Sequence, residues 1–100
     1  MTNETILIMA KQINVKELSF AKFKIMADKD KNQLTVRRGT KFIEITYTSN
    51  DLYNIQKGKI RKFEVTREEI QKGYYEDMLK PLIEEYFKFE YVMDSIMGVN

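Results

Sequence analysis

Hydrophobic positions along the chain follow a helical period first, then a period of two, then a helical period again. From Glu4 to Ile13, the residues Ile6, Met9, Ala10 and Ile13 share one helix face, with Thr2 or Asn3 available as N-cap and Asn14 as a stop. A helix this short must dock on the rest of the domain through that stripe. Between Ser19 and Asp28, Ala21, Phe23, Ile25 and Ala27 lie on one side and Lys22, Lys24 and Asp28 on the other, as in a strand with one buried face. Phe20 and Met26 fall on the mostly polar side, as edge packing or as exposed contacts.

The polar stretch Asp28-Lys29-Asp30-Lys31-Asn32 predicts a turn, and Gln33 to Arg38 resumes alternation through Leu34 and Val36. Gly39 and Thr40 break the run before Lys41 to Thr48, where Ile43, Ile45 and Tyr47 alternate with Glu44, Thr46 and Thr48. Three antiparallel strands in a meander follow, and Ser49-Asn50-Asp51 marks the next turn. Leu52 to Val65 reads as a second hairpin turning at Lys57-Gly58, or as a loop with one edge strand.

Beyond it, Thr66 and Glu69 have capping-box spacing. Tyr75, Met78, Leu79, Leu82, Ile83 and Tyr86 then form a helical stripe wide enough to cover a sheet face, while Glu76, Lys80, Glu84 and Lys88 make a ladder on a solvated side. Pro81 interrupts the pattern, predicting a kink near Asp77 or two helices meeting at Lys80-Pro81. Phe89 to Met97 continues as a packed helix until Gly98.

The predicted architecture is a single α+β domain over residues 1–100. It has a short N-terminal helix, an antiparallel sheet of three to five strands, and a long C-terminal helix, kinked or broken near Pro81, packed on one sheet face. One hundred residues, 43% apolar and 32% charged, suit one globular core. No apolar run approaches the roughly 20 residues of a membrane-spanning helix, and the N-terminus lacks the features of a secretory signal. Cysteine and histidine are both absent. That removes Cys nucleophiles, His bases, Cys/His zinc sites and Ser-His-Asp triads, and favours a binding protein without cofactor over an enzyme. The absence of cysteine also fits a reducing, cytoplasmic compartment.

Net charge is +2, but it is unevenly spread: residues 1–62 carry 13 Lys and Arg against 6 Asp and Glu, and residues 63–100 carry 4 against 9. A basic half of this kind attracts phosphate or an acidic partner. The candidate site is the basic set Arg37, Arg38, Lys41, Lys57, Lys59, Arg61 and Lys62, which converges on one sheet end if the hairpins lie side by side, with Tyr53 and Phe63 near in sequence. Cations with aromatic stacking would hold a nucleic-acid strand; lysines guarding an edge strand explain the same residues without a ligand.

Other constellations are weaker. Asp28-Lys29-Asp30-Lys31-Asn32 imitates the start of a calcium loop, but Gln33 and Gly39 stand where that loop needs Gly and Glu, so it is read as a turn. The pairs Glu68-Glu69, Glu76-Asp77 and Glu84-Glu85 are read as solvated helix faces. Phe87, Phe89, Tyr91, Met93 and Met97 exceed the helical stripe and could form a homodimer or partner interface.

The blocks Asp51-Leu52-Tyr53, Gly58-Lys59-Ile60-Arg61, Gly73-Tyr74-Tyr75 and Asp77-Met78-Leu79, with their spacing, resemble a family of short, uncharacterised proteins encoded by bacteriophages, plasmids and integrative elements. Tyr74 stands where a small aliphatic residue is usual, and Phe87-Lys88 replaces a Thr-Gly after the helix, which implies an extended C-terminal helix. The resemblance supplies no catalytic residues. It implies a bacterial cytoplasm and a protein that occupies a surface on a host protein, with inhibitors of CRISPR or restriction nucleases as the prominent class. Direct nucleic-acid binding is the alternative.

Overall fold

The computed structural model of the chain describes residues 2–92, with side chains from residue 4 onward. Helices α1 (Thr2–Gln12) and α2 (Val15–Phe20) precede strands β1 (Lys24–Asp28), β2 (Gln33–Arg38), β3 (Lys41–Tyr47), β4 (Tyr53–Arg61), β5 (Glu64–Arg67) and β6 (Gln71–Tyr74), and α3 (Leu79–Phe87) closes the described chain. Short 3₁₀ turns occupy Lys29–Lys31 and Glu76–Met78.

All strands pair antiparallel. β1 to β4 run as a meander, and the far side of β4 carries β5 along its second half and β6 along its first. The break between β5 and β6 is bridged by Glu68, whose N–H donates to the Lys57 carbonyl (2.9 Å) while its own carbonyl accepts from Gln56 Nε2 (2.9 Å).

Register assigns the two faces. Ile25, Val36, Ile43 and Lys57 form one row, Ala27, Leu34, Ile45 and Ile55 the next, and Tyr47, Tyr53 and Tyr74 a third, all on one side because alternate residues share a face. From this inner face Leu34, Val36, Ile43, Ile45, Tyr53 and Ile55 enter one buried cluster with Met9, Ile13 and Leu18 of the N-terminal segment and Leu79, Leu82 and Ile83 of α3. Each fully buried aliphatic side chain contributes about 1.5–3 kcal/mol, so this cluster supplies most of the driving force.

Several expectations are met. β2 has its predicted bounds, β3 ends one residue early, and Asp28-Asn32 is a turn in which the Asp28 carboxylate accepts from the N–H groups of Asp30 and Lys31. The α+β class with an antiparallel sheet holds, although the sheet has six strands among the described residues. The predicted N-cap falls on Thr2 and Asn3, whose side chains lie outside the described residues.

Other expectations are corrected. The strand predicted from Ser19 starts only at Lys24, because Val15–Phe20 forms α2. Asn14, left-handed at φ 54°, caps the start of α2 by accepting from the Glu17 N–H. Its end is a Schellman closure: Lys22 is left-handed, Phe23 N–H donates to the Leu18 carbonyl (2.9 Å) and Lys22 N–H to that of Ser19 (3.1 Å).

Lys57-Gly58 is not a turn, since β4 runs unbroken through it and the chain reverses at Lys62-Phe63. Thr66 caps no helix either: it lies in β5 paired with Lys59, and Tyr75 and Met78 of the predicted stripe are exposed. Long-range pairing with β4 outcompetes the local helical signal there.

α3 is accordingly nine residues, not a long helix. Pro81 falls in its first turn, where the missing N–H has no intrahelical partner to lose, so α3 runs unbroken through it; a 3₁₀ turn meets α3 at Met78-Leu79, two residues before the predicted junction at Lys80-Pro81. α3 ends at Phe87, because Lys88 adopts φ 56° and Phe89 N–H donates to the Glu84 carbonyl (3.0 Å), the closure a glycine usually makes; the helix predicted over Phe89 to Met97 lies largely outside the described residues.

Residues 88–92 return to the N-terminal helices. Tyr91 is buried and its hydroxyl donates to the Ile13 carbonyl (2.7 Å), and the buried Glu17 carboxylate accepts from Val92 N–H (2.6 Å). Phe87 and Phe89 meet Phe23 edge to face at 4.9 and 5.2 Å. These three rings, expected to be available for an interface, are therefore largely taken up within the chain's own core, and Met93 and Met97 lie outside the described residues.

Candidate functional site

The seven predicted cations gather at the end of the sheet formed by the β2–β3 turn and the β4–β5 hairpin, but they divide between its faces. Arg38, Lys41 and Lys59 form one row across β2, β3 and β4, with Lys57 and Arg61 two residues to either side of Lys59; all five belong to the inner face. Arg37 belongs to the outer face and its Nε donates to the Gly39 carbonyl (3.2 Å). Lys62 is in the hairpin turn.

Three of the five inner-face cations rest on rings. The Arg38 guanidinium lies 5.0 Å from the Phe23 ring centre, and the Lys41 and Lys57 ammonium groups lie 5.0 and 5.5 Å from that of Tyr86. Lys41 Nζ also donates to the Tyr86 carbonyl at the end of α3 (3.1 Å), where the helix dipole favours a cation. The Tyr86 hydroxyl donates to the Gly58 carbonyl (2.8 Å), fixing this contact to β4. Burial, then the nearby Glu68 charge, raises the Tyr86 phenol above its usual pKa. Packing thus accounts for Arg38, Lys41 and Lys57, whereas Lys59, Arg61 and Lys62 form no ion pair among the described residues.

Beyond Gly58 the β4–β5 hairpin forms an arm, with residues 61–66 all exposed. Its two-residue turn has φ of 45° at Lys62 and 72° at Phe63, both left-handed as the hairpin twist requires. Asn-Gly fills such a turn without strain; a lysine followed by a phenylalanine does not. The Phe63 ring is fully exposed at the tip.

The outer face carries an unpredicted cluster. Phe42 is buried there because Gly58 on the neighbouring strand leaves room for its ring: a Cβ at Gly58 would come within 2.2 Å of Phe42 Cζ. The Arg67 guanidinium covers the ring at 5.4 Å while its Nε and Nη2 donate to the two Glu44 carboxylate oxygens, each at 3.2 Å. That pairing raises the Arg67 pKa further. Around it, Met26, Ile60 and Val65 border a shallow hollow of about 140 Å³ whose polar walls are Thr35, Arg37, Glu44 and Arg67. Met26, Val65 and Ile70 are exposed. The signal in the sequence was Phe42-Ile43, two large apolar neighbours in an alternating strand, which gives both faces of β3 something to bury.

At the other end of β3 and β4, Tyr47, Asp51, Tyr53 and Glu76 border a second hollow of about 150 Å³. The Tyr47 hydroxyl donates to Asp51, which raises the Tyr47 pKa, and burial raises that of Tyr53. Among the described residues no group of three or more carboxylates could hold a metal ion, and no helix is long and apolar enough to cross a membrane. No family model matches the chain, and neither a curated protein nor a solved structure is significantly similar to it.

Proposed function

We propose that the chain is a non-enzymatic binding protein that engages a host protein, with α3 laid across the inner face and the outer face and hairpin arm left for the partner. The observation that carries this reading is the fully exposed Phe63 on a strained turn, beside outward-facing Ile60 and Val65. Strain held at an exposed position points to a use there, and an aromatic anchor near an apolar patch with a charged rim has the composition of a protein-binding surface. Lys59, Arg61 and Lys62 suit an acidic rim on the partner. The setting implied by the family resemblance, a mobile element in a bacterial cytoplasm, makes a defence nuclease one partner of this class.

The test is affinity purification from bacterial lysate with the wild-type chain beside Phe63→Ala and Val65→Lys, both at exposed positions that leave the core intact. A host protein retained by the wild type and lost from both variants is expected; equal retention by all three overturns the reading. The set Lys59, Arg61 and Lys62, which forms no ion pair among the described residues, favours a second reading, direct nucleic-acid binding. That reading requires low-salt retention of oligonucleotides, falling steeply with added salt and abolished by combined Lys59→Ala, Arg61→Ala and Lys62→Ala.

A further inference from the structure

We propose that β1 pairs with β1 of a second copy of this chain, antiparallel and centred on Met26, joining two six-stranded sheets into one. The edge of β1 is distinct from the hairpin arm above, although Met26 borders the same outer-face hollow as Ile60 and Val65. β1 is an outer strand: it pairs with β2 on one side, and among the described residues no strand pairs with it on the other. Its five residues match β2 without a bulge, include no proline, and leave Lys24, Met26 and Ala27 exposed. The opposite margin is unlike it: β5 and β6 are separated at residues 68–70, and Gly73 takes a left-handed φ of 81°. Breaks of that kind discourage edge-to-edge addition, and β1 has none.

The charges of β1 select the occupant. With Met26 on a two-fold axis, Lys24 of each copy faces Asp28 of the other and Ile25 faces Ala27, so the strand is complementary to itself. Parallel pairing in register would set Lys24 against Lys24 and Asp28 against Asp28. Antiparallel pairing shifted by two residues loses both opposite-charge pairs within the strand. In the single chain, Lys24 begins an outer-face row that continues through Arg37, Phe42, Gly58 and Arg67 and contains no carboxylate. Asp28 of a second copy supplies one. The Asp28 carboxylate accepts from Asp30 and Lys31 through Oδ1, leaving Oδ2 for the incoming ammonium. Because Met26 borders the outer-face hollow, the same pairing sets two such hollows side by side.

Cross-linking tests the axis directly, since the chain has no cysteine of its own. Directly opposed residues in an antiparallel pair lie about 4.5–5.5 Å apart at Cα, within the range of about 4.4–6.8 Å that a disulfide spans. Under mild oxidation Met26→Cys is expected to form a covalent dimer about tenfold or more faster than Phe63→Cys, because pairing raises the local thiol concentration. Sedimentation tests the charges. The 11.9 kDa chain is expected to show a concentration-dependent monomer–dimer equilibrium. Lys24→Asp or Asp28→Lys alone should weaken it about tenfold or more by turning two attractive pairs repulsive. An equimolar mixture of the two variants should associate again as a heterodimer. Should Asp28→Lys fail to fold, Lys24→Asp and the cross-linking rates still decide. A wild-type chain that stays monomeric at its highest attainable concentration overturns the proposal. So does a dimer indifferent to Lys24→Asp, which must use another surface, or a Met26→Cys rate no greater than that of Phe63→Cys.

Discussion

Gly58 shows how one residue shapes two surfaces. Its missing side chain leaves room for the Phe42 ring on the outer face, and its carbonyl receives the Tyr86 hydroxyl at the end of α3. Gly58→Ala should therefore destabilise the fold by about 1–3 kcal/mol, the usual range for an overpacked site, read as a lower urea midpoint. Tyr86→Phe removes only the hydrogen bond and should cost about 0.5–1.5 kcal/mol in the same experiment. A Gly58→Ala midpoint equal to wild type would mean that the Phe42 ring yields without strain. Arg67 caps the ring and pairs with Glu44, so this cluster rests on four residue types meeting across three strands.

The hairpin arm is where stability and function are expected to part. Two consecutive left-handed residues without glycine at Lys62-Phe63 cost free energy that Asn-Gly would not. The double replacement Lys62→Asn with Phe63→Gly should raise unfolding stability by about 1 kcal/mol or more and at the same time reduce retention of a host partner. A stabilised variant that still binds would show the tip to be idle. A similar local strain closes α3, where Lys88 occupies a glycine-like conformation; Lys88→Gly should raise the thermal midpoint slightly, and a fall would show that the lysine side chain itself is needed.

Across the whole molecule the charge is polarised, with cations at the hairpin end and Asp51 and Glu76 near the opposite hollow. No histidine is present to titrate near neutrality. Alkaline behaviour is set instead by Tyr47, Tyr53 and Tyr86, whose phenols the fold holds neutral beyond their usual range. A group whose pKa is raised on folding contributes its stability in full below the unfolded value. For tyrosine that value is about 10. Above it the unfolded chain loses its protons first, so stability should decline as pH climbs through 10 toward the folded values. Denaturant titrations across this range check the sign, and Tyr86→Phe should flatten the decline.

Strands β2 and β3 were legible because β2 alternates strictly, β3 alternates from Ile43 onward, and their turns carry Asp, Asn or Gly at the reversing positions. The α+β class followed from the change of period along the chain, and the cationic end followed from composition once neighbouring strands are paired. What local chemistry could not determine was the stretch from Thr66 to Met78, where a capping pair and an apolar stripe suit a helix as well as a strand. There the choice belongs to β4, whose amides and carbonyls on the side away from β3 are paired by β5 and β6. The two faces were likewise decided by tertiary pairing: Phe42 needs Gly58, and Gly58 needs the register that sets it opposite Arg67. A sequence records which side chains alternate, but which strand lies at an edge, and which cation rests on a ring, depends on neighbours brought together by folding.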